Sequence, residues 1–168
     1  MASMKVELSQ VEAFLASQVG SFRNTKSLAQ GNPDAFGLSA DKDGWGLHIE
    51  GAAGEMAAAK ALNIYWSATV NTFKKGGDLG DRIQVRTRSK HDYELLVRPS
   101  DRDDDVFVLV TGKSPHFLVH GWISGRDAKQ TAYLKTHGGR DPAYFVPHRA
   151  LRKLDELKAQ KDFHETRF

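Results

Sequence analysis

Apolar residues recur along the chain in two different periods, and the changes of period mark out the expected elements. Over residues 5 to 18, Val6, Val11, Phe14 and Leu15 fall at approximately helical spacing, continued by Val19, with Ser9 placed to cap before Val11. This predicts a short amphipathic helix. An irregular loop is expected over about 20–46, where Gly, Asn, Ser and Asp are frequent and Asn32-Pro33-Asp34 and Asp43-Gly44 signal turns. From His48 to Leu62 strong helix formers leave almost every face small or apolar, which predicts a buried helix.

Ile64 to Phe73 is rich in β-branched and aromatic residues and predicts a strand. In Arg82 to Arg88 the period is two: Ile83, Val85 and Thr87 alternate with Gln84, Arg86 and Arg88. Tyr93 to Val97, Val106 to Val110 and Phe117 to Ile123 predict three further strands separated by polar turns. A loop from Gly125 to Asp141 then leads to a C-terminal helix over about 147–161, opened by Pro147 and lined by Leu151, Leu154 and Leu157.

The 168 residues fit one domain spanning 1–168. An apolar fraction of 40% and a charged fraction of 27% are globular values. The chain has no cysteine, which excludes disulfide and thiolate chemistry and suits a reducing interior. The apolar stretch Gly51 to Leu62 is interrupted by Glu55 and Lys60 and is shorter than the roughly 20 residues of a membrane helix. Met1-Ala-Ser-Met-Lys-Val-Glu lacks the order of a signal peptide. The expectation is a cytoplasmic protein without a membrane partner. Net charge of +3 permits a nucleic-acid partner, and its distribution is more telling. Arg82, Arg86, Arg88 and Lys90 form an acid-free run, whereas Asp101 to Asp105 holds four carboxylates against one arginine.

Strand geometry puts Gln84 and Arg86 on one face, opposite Ile83 and Val85. Asp78 precedes this strand in Gly76-Gly77-Asp78-Leu79-Gly80, a sequence built to turn tightly. Glu55 sits on the apolar helix with Gly51, Ala58, Ala59 and Leu62 as helical neighbours, so its carboxylate needs a metal ion, a cationic side chain or a proton. Asp78 also has a plain reading as a turn residue, and Gln84 and Arg86 as the solvated face of a strand.

Other motifs fail on their own terms. Gly112-Lys113-Ser114 resembles the end of a phosphate loop, but Phe107 stands at the first required glycine and Pro115 disfavours the following helix. Asp101-Arg-Asp-Asp-Asp lacks the glycine and distal glutamate of a calcium loop. His116 and His120 lack a third convergent ligand for zinc.

The helical Gly54-Glu55, then Asp78, then Gln84-Val85-Arg86 on a strand resemble the glutamate, the aspartate and the (D/E)-x-K of the PD-(D/E)XK nuclease superfamily. The likeness covers mainly Ile49 to Arg88. It implies an α/β fold with a central mixed β-sheet flanked by helices, restriction-endonuclease-like, and a metal-dependent nuclease cleaving phosphodiester bonds in DNA. By that resemblance Glu55, Asp78, Gln84 and Arg86 are the catalytic set. Glu55, Asp78 and the Val85 carbonyl would hold Mg²⁺ or Mn²⁺, while Lys74, Lys75, Arg88 and Lys90 would contact nucleic acid.

Two letters depart from the pattern: Gln84 replaces an acid and is a weaker ligand for a hard cation, and Arg86 replaces lysine and is a poor proton acceptor. The helix expected after the motif strand is not evident between Lys90 and Asp105. An inactive nuclease-fold module that binds nucleic acid or a protein is the alternative. A structural protein in which Glu55 pairs with Arg86 is the third reading, and a homodimer stays open.

Overall fold

A computed structural model describes residues 3–31, 44–70 and 76–160 of the chain. The first strand, β1 (Met4–Glu7), leads into helix α1 (Gln10–Ala29), and helix α2 (Gly44–Leu62) follows. Then come β2 (Ile83–Arg88), β3 (Leu95–Val97), β4 (Val106–Lys113) and β5 (His116–Ser124). The remainder is short: α3 (Gly125–Ala128), β6 (Leu134–Lys135), β7 (Ala143–Val146) and α4 (Leu154–Lys158), with single 3-10 turns at Thr131–Tyr133 and His148–Ala150.

A four-stranded sheet in the order β1-β5-β4-β2 is the centre of the fold. It is mixed, because β2 runs parallel to β4 while the β4–β5 and β5–β1 pairs are antiparallel. A smaller sheet, β3-β7-β6, lies on its far side. The fold is therefore mixed α/β, as expected.

The continuous apolar run of β4 reflects burial on both faces. Val106, Val108 and Val110 join α2, Val6, Val85 and Trp122 in one core, while Phe107 and Leu109 join Leu95, Val97, Ile123 and Val146 in a second. Because α2 lies between α1 and the sheet, alanine and glycine dominate its buried surface. A Cβ on Gly54 would stand 1.9 Å from Thr87 Oγ1, so the helix and β2 approach as closely as glycine allows.

The first helix departs most from the sequence reading. Its start is as expected: the Ser9 side chain accepts the Glu12 N–H, and Glu12 returns a bond to the Ser9 backbone N–H, a capping box. Its length is not, for it continues to Ala29 through what reads as loop, and Val6 belongs to β1 instead. Its buried side is also different. Ala16, Gly20 and Asn24 pack on α2, with a Cβ on Gly20 falling 2.4 Å from Ile49 Cα, whereas Val11, Phe14 and Leu15 are exposed. Small side chains at spacing four let the helix backbones approach closely, and close packing prevails over hydrophobic periodicity.

Other elements differ as well, and the loop expected from Gly125 to Asp141 holds α3, a 3-10 turn and β6. No strand forms over residues 64–70. Asn63 and Ala68 have positive φ, which interrupts extended backbone, and polar groups of the stretch are spent on the site described below. The remainder of that expected strand lies outside the described residues, as does 32–43 of the expected loop. The C-terminal helix is shorter than expected. Pro147 precedes a 3-10 turn, and the backbone of Arg152 then exchanges hydrogen bonds with Trp122, which delays the helix to Leu154.

Candidate functional site

β2 is an edge strand, and the glycine-rich turn before it folds back along its open edge. Leu79 and Ile83 exchange both backbone hydrogen bonds, at 3.0 and 3.3 Å. The Asp78 carboxylate then accepts the next outward-facing N–H, that of Val85, at 2.7 Å. In a strand the N–H and C=O of one residue point the same way, so the Val85 carbonyl faces this edge too.

Glu55 is 7% exposed on α2. The compensation its surroundings demand comes from Arg23, which grips both carboxylate oxygens at 2.7 and 2.8 Å. Trp66 Nε1–H donates to the same carboxylate at 3.1 Å. Arg23 Nε–H is itself fixed by the Thr69 carbonyl at 2.9 Å. Residues 64–70 thus close around the ion pair in place of forming a strand. Burial by itself would lower the Arg23 pKa, but the Glu55 bonds and charge, with that of Asp78, leave it raised. Asp78 is pushed up to about 6, first by burial and then by the charge of Glu55, against the pull of the Val85 N–H, Arg86 and Arg23. Two acids and two arginines therefore share one electrostatic neighbourhood.

Gln84 and Arg86 project from the same face of β2, as the period of two predicts, and both turn to the acidic loop before β4. Gln84 Nε2–H donates to Asp105 Oδ2 at 3.1 Å. Arg86 pairs with Asp101 at 3.0 Å and lies over the Phe107 ring. Of the sequence-predicted set, Glu55, Asp78 and the Val85 edge are brought together, whereas Gln84 and Arg86 are both directed to the acidic loop, Arg86 reaching Asp78 through its charge alone. The partner of Glu55 is Arg23, not Arg86, which corrects the ion pair of the third sequence reading.

Between α2 and the second half of β2 opens a cleft of about 630 Å³, lined among others by Glu50, Glu55, Arg86, Arg88, Tyr93 and Lys113. Arg88 and Lys90 both lie over the Tyr93 ring. Burial pulls the Arg88 pKa down. Its hydrogen bond is a long one to the Glu94 carbonyl, and neither it, Lys90 nor Lys113 has a carboxylate ion-pair partner among the described residues. Lys74 and Lys75 lie outside the described residues.

Behind Tyr93 stands a histidine cluster that the sequence reading missed. The register of β4 and β5 slips between Leu109 and Val110, opposite Gly121 and Val119, so that His120 is the extra residue of a bulge. Its ring bonds to Ser3 Oγ at 2.9 Å and to buried Thr111 Oγ1 at 2.6 Å, and Thr111 bonds in turn to His91 at 2.7 Å. The His148 ring lies 4.4 Å from that of His120, tilted by 51°, and bonds to the Tyr93 carbonyl at 2.8 Å. The His120 pKa falls to about 4, through burial and then the neighbouring His148 and His91. With these nitrogens already engaged the cluster braces the Tyr93 turn. No spacing rule would reveal it, because the bulge that aims His120 is a property of the strand pair.

Mg²⁺ or Mn²⁺, which the family resemblance implies, does not fit this donor set while Arg23 is in place. Both Glu55 oxygens are held by Arg23, the Gln84 amide is committed to Asp105, and among the described residues no group of three His, Cys, Asp or Glu side chains is disposed to hold a metal. No described helix is long and apolar enough to cross a membrane. Comparison with known proteins gives no family model, no curated protein and no solved structure that matches the chain.

Proposed function

We propose that the chain is a nucleic-acid-binding module of restriction-endonuclease-like descent, which holds the phosphodiester backbone of DNA in the cleft between α2 and β2 without cleaving it. The observation that carries this reading is the division of charge. Arg23 neutralises Glu55 internally, whereas Arg88 and Lys113 line the cleft without carboxylate partners among the described residues. The Arg86 guanidinium is tied to Asp101. Arg88 and Lys113 suit phosphate contacts, and Tyr93 offers an aromatic surface beside them. Supporting the proposed descent are the order and proximity of Glu55, Asp78 and the Val85 edge. Set against it, the connection from β2 to its parallel neighbour contains strand β3 where the family would place a helix.

A metal-dependent deoxyribonuclease is the second reading, favoured by one observation: burial and then the charge of neighbouring Glu55 raise Asp78. It requires Arg23 to release Glu55. The two readings separate when linear, supercoiled, branched and single-stranded DNA are incubated with the protein and Mg²⁺ or Mn²⁺. Salt-sensitive binding with intact DNA is the expected result. Metal-dependent cleavage that is lost in Asp78→Ala would establish the second reading instead, and absence of binding to every substrate would remove both.

A further inference from the structure

The outward side of α1 is inverted relative to a helix that faces water. Val11, Phe14, Leu15, Phe22 and Leu28 are 67, 61, 50, 60 and 65% exposed. Along positions 11, 15, 18, 22, 25 and 29 the steps alternate between four and three residues, the spacing of a helix–helix seam, and Gln18, Thr25 and Ala29 fill the seam without adding charge. Two of the three charged side chains of α1 are drawn elsewhere, Glu12 to Lys60 and Arg23 to buried Glu55, and the third, Lys26, stands in the last turn at the edge of the seam. A water-facing helix normally places its ions on this side. Among the described residues packing does not explain the pattern, because the contact with α2 uses Ala16, Gly20 and Asn24.

We infer that this stripe is the interface of a homodimer, with α1 of one copy packed antiparallel on α1 of a second. Area supports that occupant. Since an open aromatic side chain presents about 150–250 Å² and an aliphatic one somewhat less, the stripe leaves on the order of 500 Å² of apolar surface uncovered. A standard interface takes about 800 Å² from each partner, and about 65% of it is apolar between identical chains, so the requirement is again about 500 Å² per copy.

Charge selects the partner as well. An uncharged seam meets its own copy without repulsion, which a two-fold axis demands because each residue faces the same surface. Of the helix's cations Lys26 alone stands beside the stripe for nucleic acid, and a membrane-bound helix would carry lysine and arginine on its opposite face, where α1 instead packs on α2.

The test is the mass of the full chain in solution by sedimentation equilibrium over a concentration series. Wild type should approach twice the 18.7 kDa monomer mass, and Phe22→Glu, which puts a charge in the seam, should raise the dimer dissociation constant on the order of tenfold or more. A wild-type monomer at every concentration, or an unchanged dimer in Phe22→Glu, overturns the inference. A second measurement does not depend on that variant folding. The chain has no cysteine, so Gln18→Cys supplies a single thiol in the seam and Asp155→Cys one on the exposed start of α4. A short bis-maleimide should couple two copies through Cys at position 18 and not at position 155; equal or absent coupling also contradicts the inference.

Discussion

Arg23 holds Glu55 through both guanidinium arms, at 2.7 and 2.8 Å, with the two side chains 15 and 9% exposed. The pair joins α1 to α2 at the point where the cleft meets the core. Arg23→Ala would leave a buried carboxylate without its cation, a change that costs on the order of 3–5 kcal/mol. Adding Glu55→Gln to Arg23→Ala should recover a large part of that loss, because the amide has no charge to strand. Urea denaturation of the two variants measures both effects. Equal stability of Arg23→Ala and wild type would show that the pair contributes little.

The raised pKa of Asp78 has a definite sign in stability. A carboxyl whose ordinary pKa of 3.8 rises to about 6 on folding binds its proton more tightly in the native state. Its contribution is therefore greatest at low pH and is lost as the pH climbs from about 4 through about 6. Asp78→Asn keeps an oxygen for the Val85 N–H and removes the ionisation. The variant should gain stability relative to wild type between about pH 5 and about pH 8, by about 1 kcal/mol or more. Denaturation midpoints at the two pH values test this, and a constant difference would mean that Asp78 does not titrate in that window.

Thr111 has a single hydroxyl proton and two imidazole neighbours, so it donates to one ring and accepts from the other. Thr111→Val keeps the shape and removes both bonds, leaving His91 and His120 nitrogens without that partner at a cost of about 1–3 kcal/mol. The His120 pKa, lowered to about 4, adds a pH dependence of the opposite sign to that of Asp78. Its contribution is complete above the ordinary imidazole value of 6.5 and is lost as the pH falls toward about 4. NMR titration of the imidazole resonances should show His120 neutral down to the lower limit in wild type; a midpoint near 6.5 would contradict the packing described for it.

The elements that carry a strict period were legible from sequence. Strand β2 and the burial of α2 follow from alternation in Ile83 to Arg88 and from the unbroken apolar surface around Glu55. What escaped that reading lies where packing between elements outweighs local pattern. Gly20 invites a turn by its type, yet it is the close crossing point that keeps α1 helical through Arg23. Val11, Phe14 and Leu15 have the spacing of a core face but lie outside, because Ala16 and Asn24 offer α2 a nearer approach. Residues 64–70 have β-forming side chains, and Trp66 and the Thr69 carbonyl are drawn to the Glu55–Arg23 pair instead. In the site, the need of Glu55 for compensation was legible. Its source was not, since no spacing relates residue 23 to residue 55.

The central claim, that the cleft holds nucleic acid through Arg88 and Lys113, is tested most directly by fluorescence anisotropy of a short labelled DNA across a salt series. Wild type should bind more weakly as salt rises. Arg88→Ala and Lys113→Ala should each reduce the slope of log affinity against log salt by about 0.9 on duplex DNA, whatever its sequence. Slopes identical to wild type in both variants, or no binding at about 50 mM salt, would contradict the account.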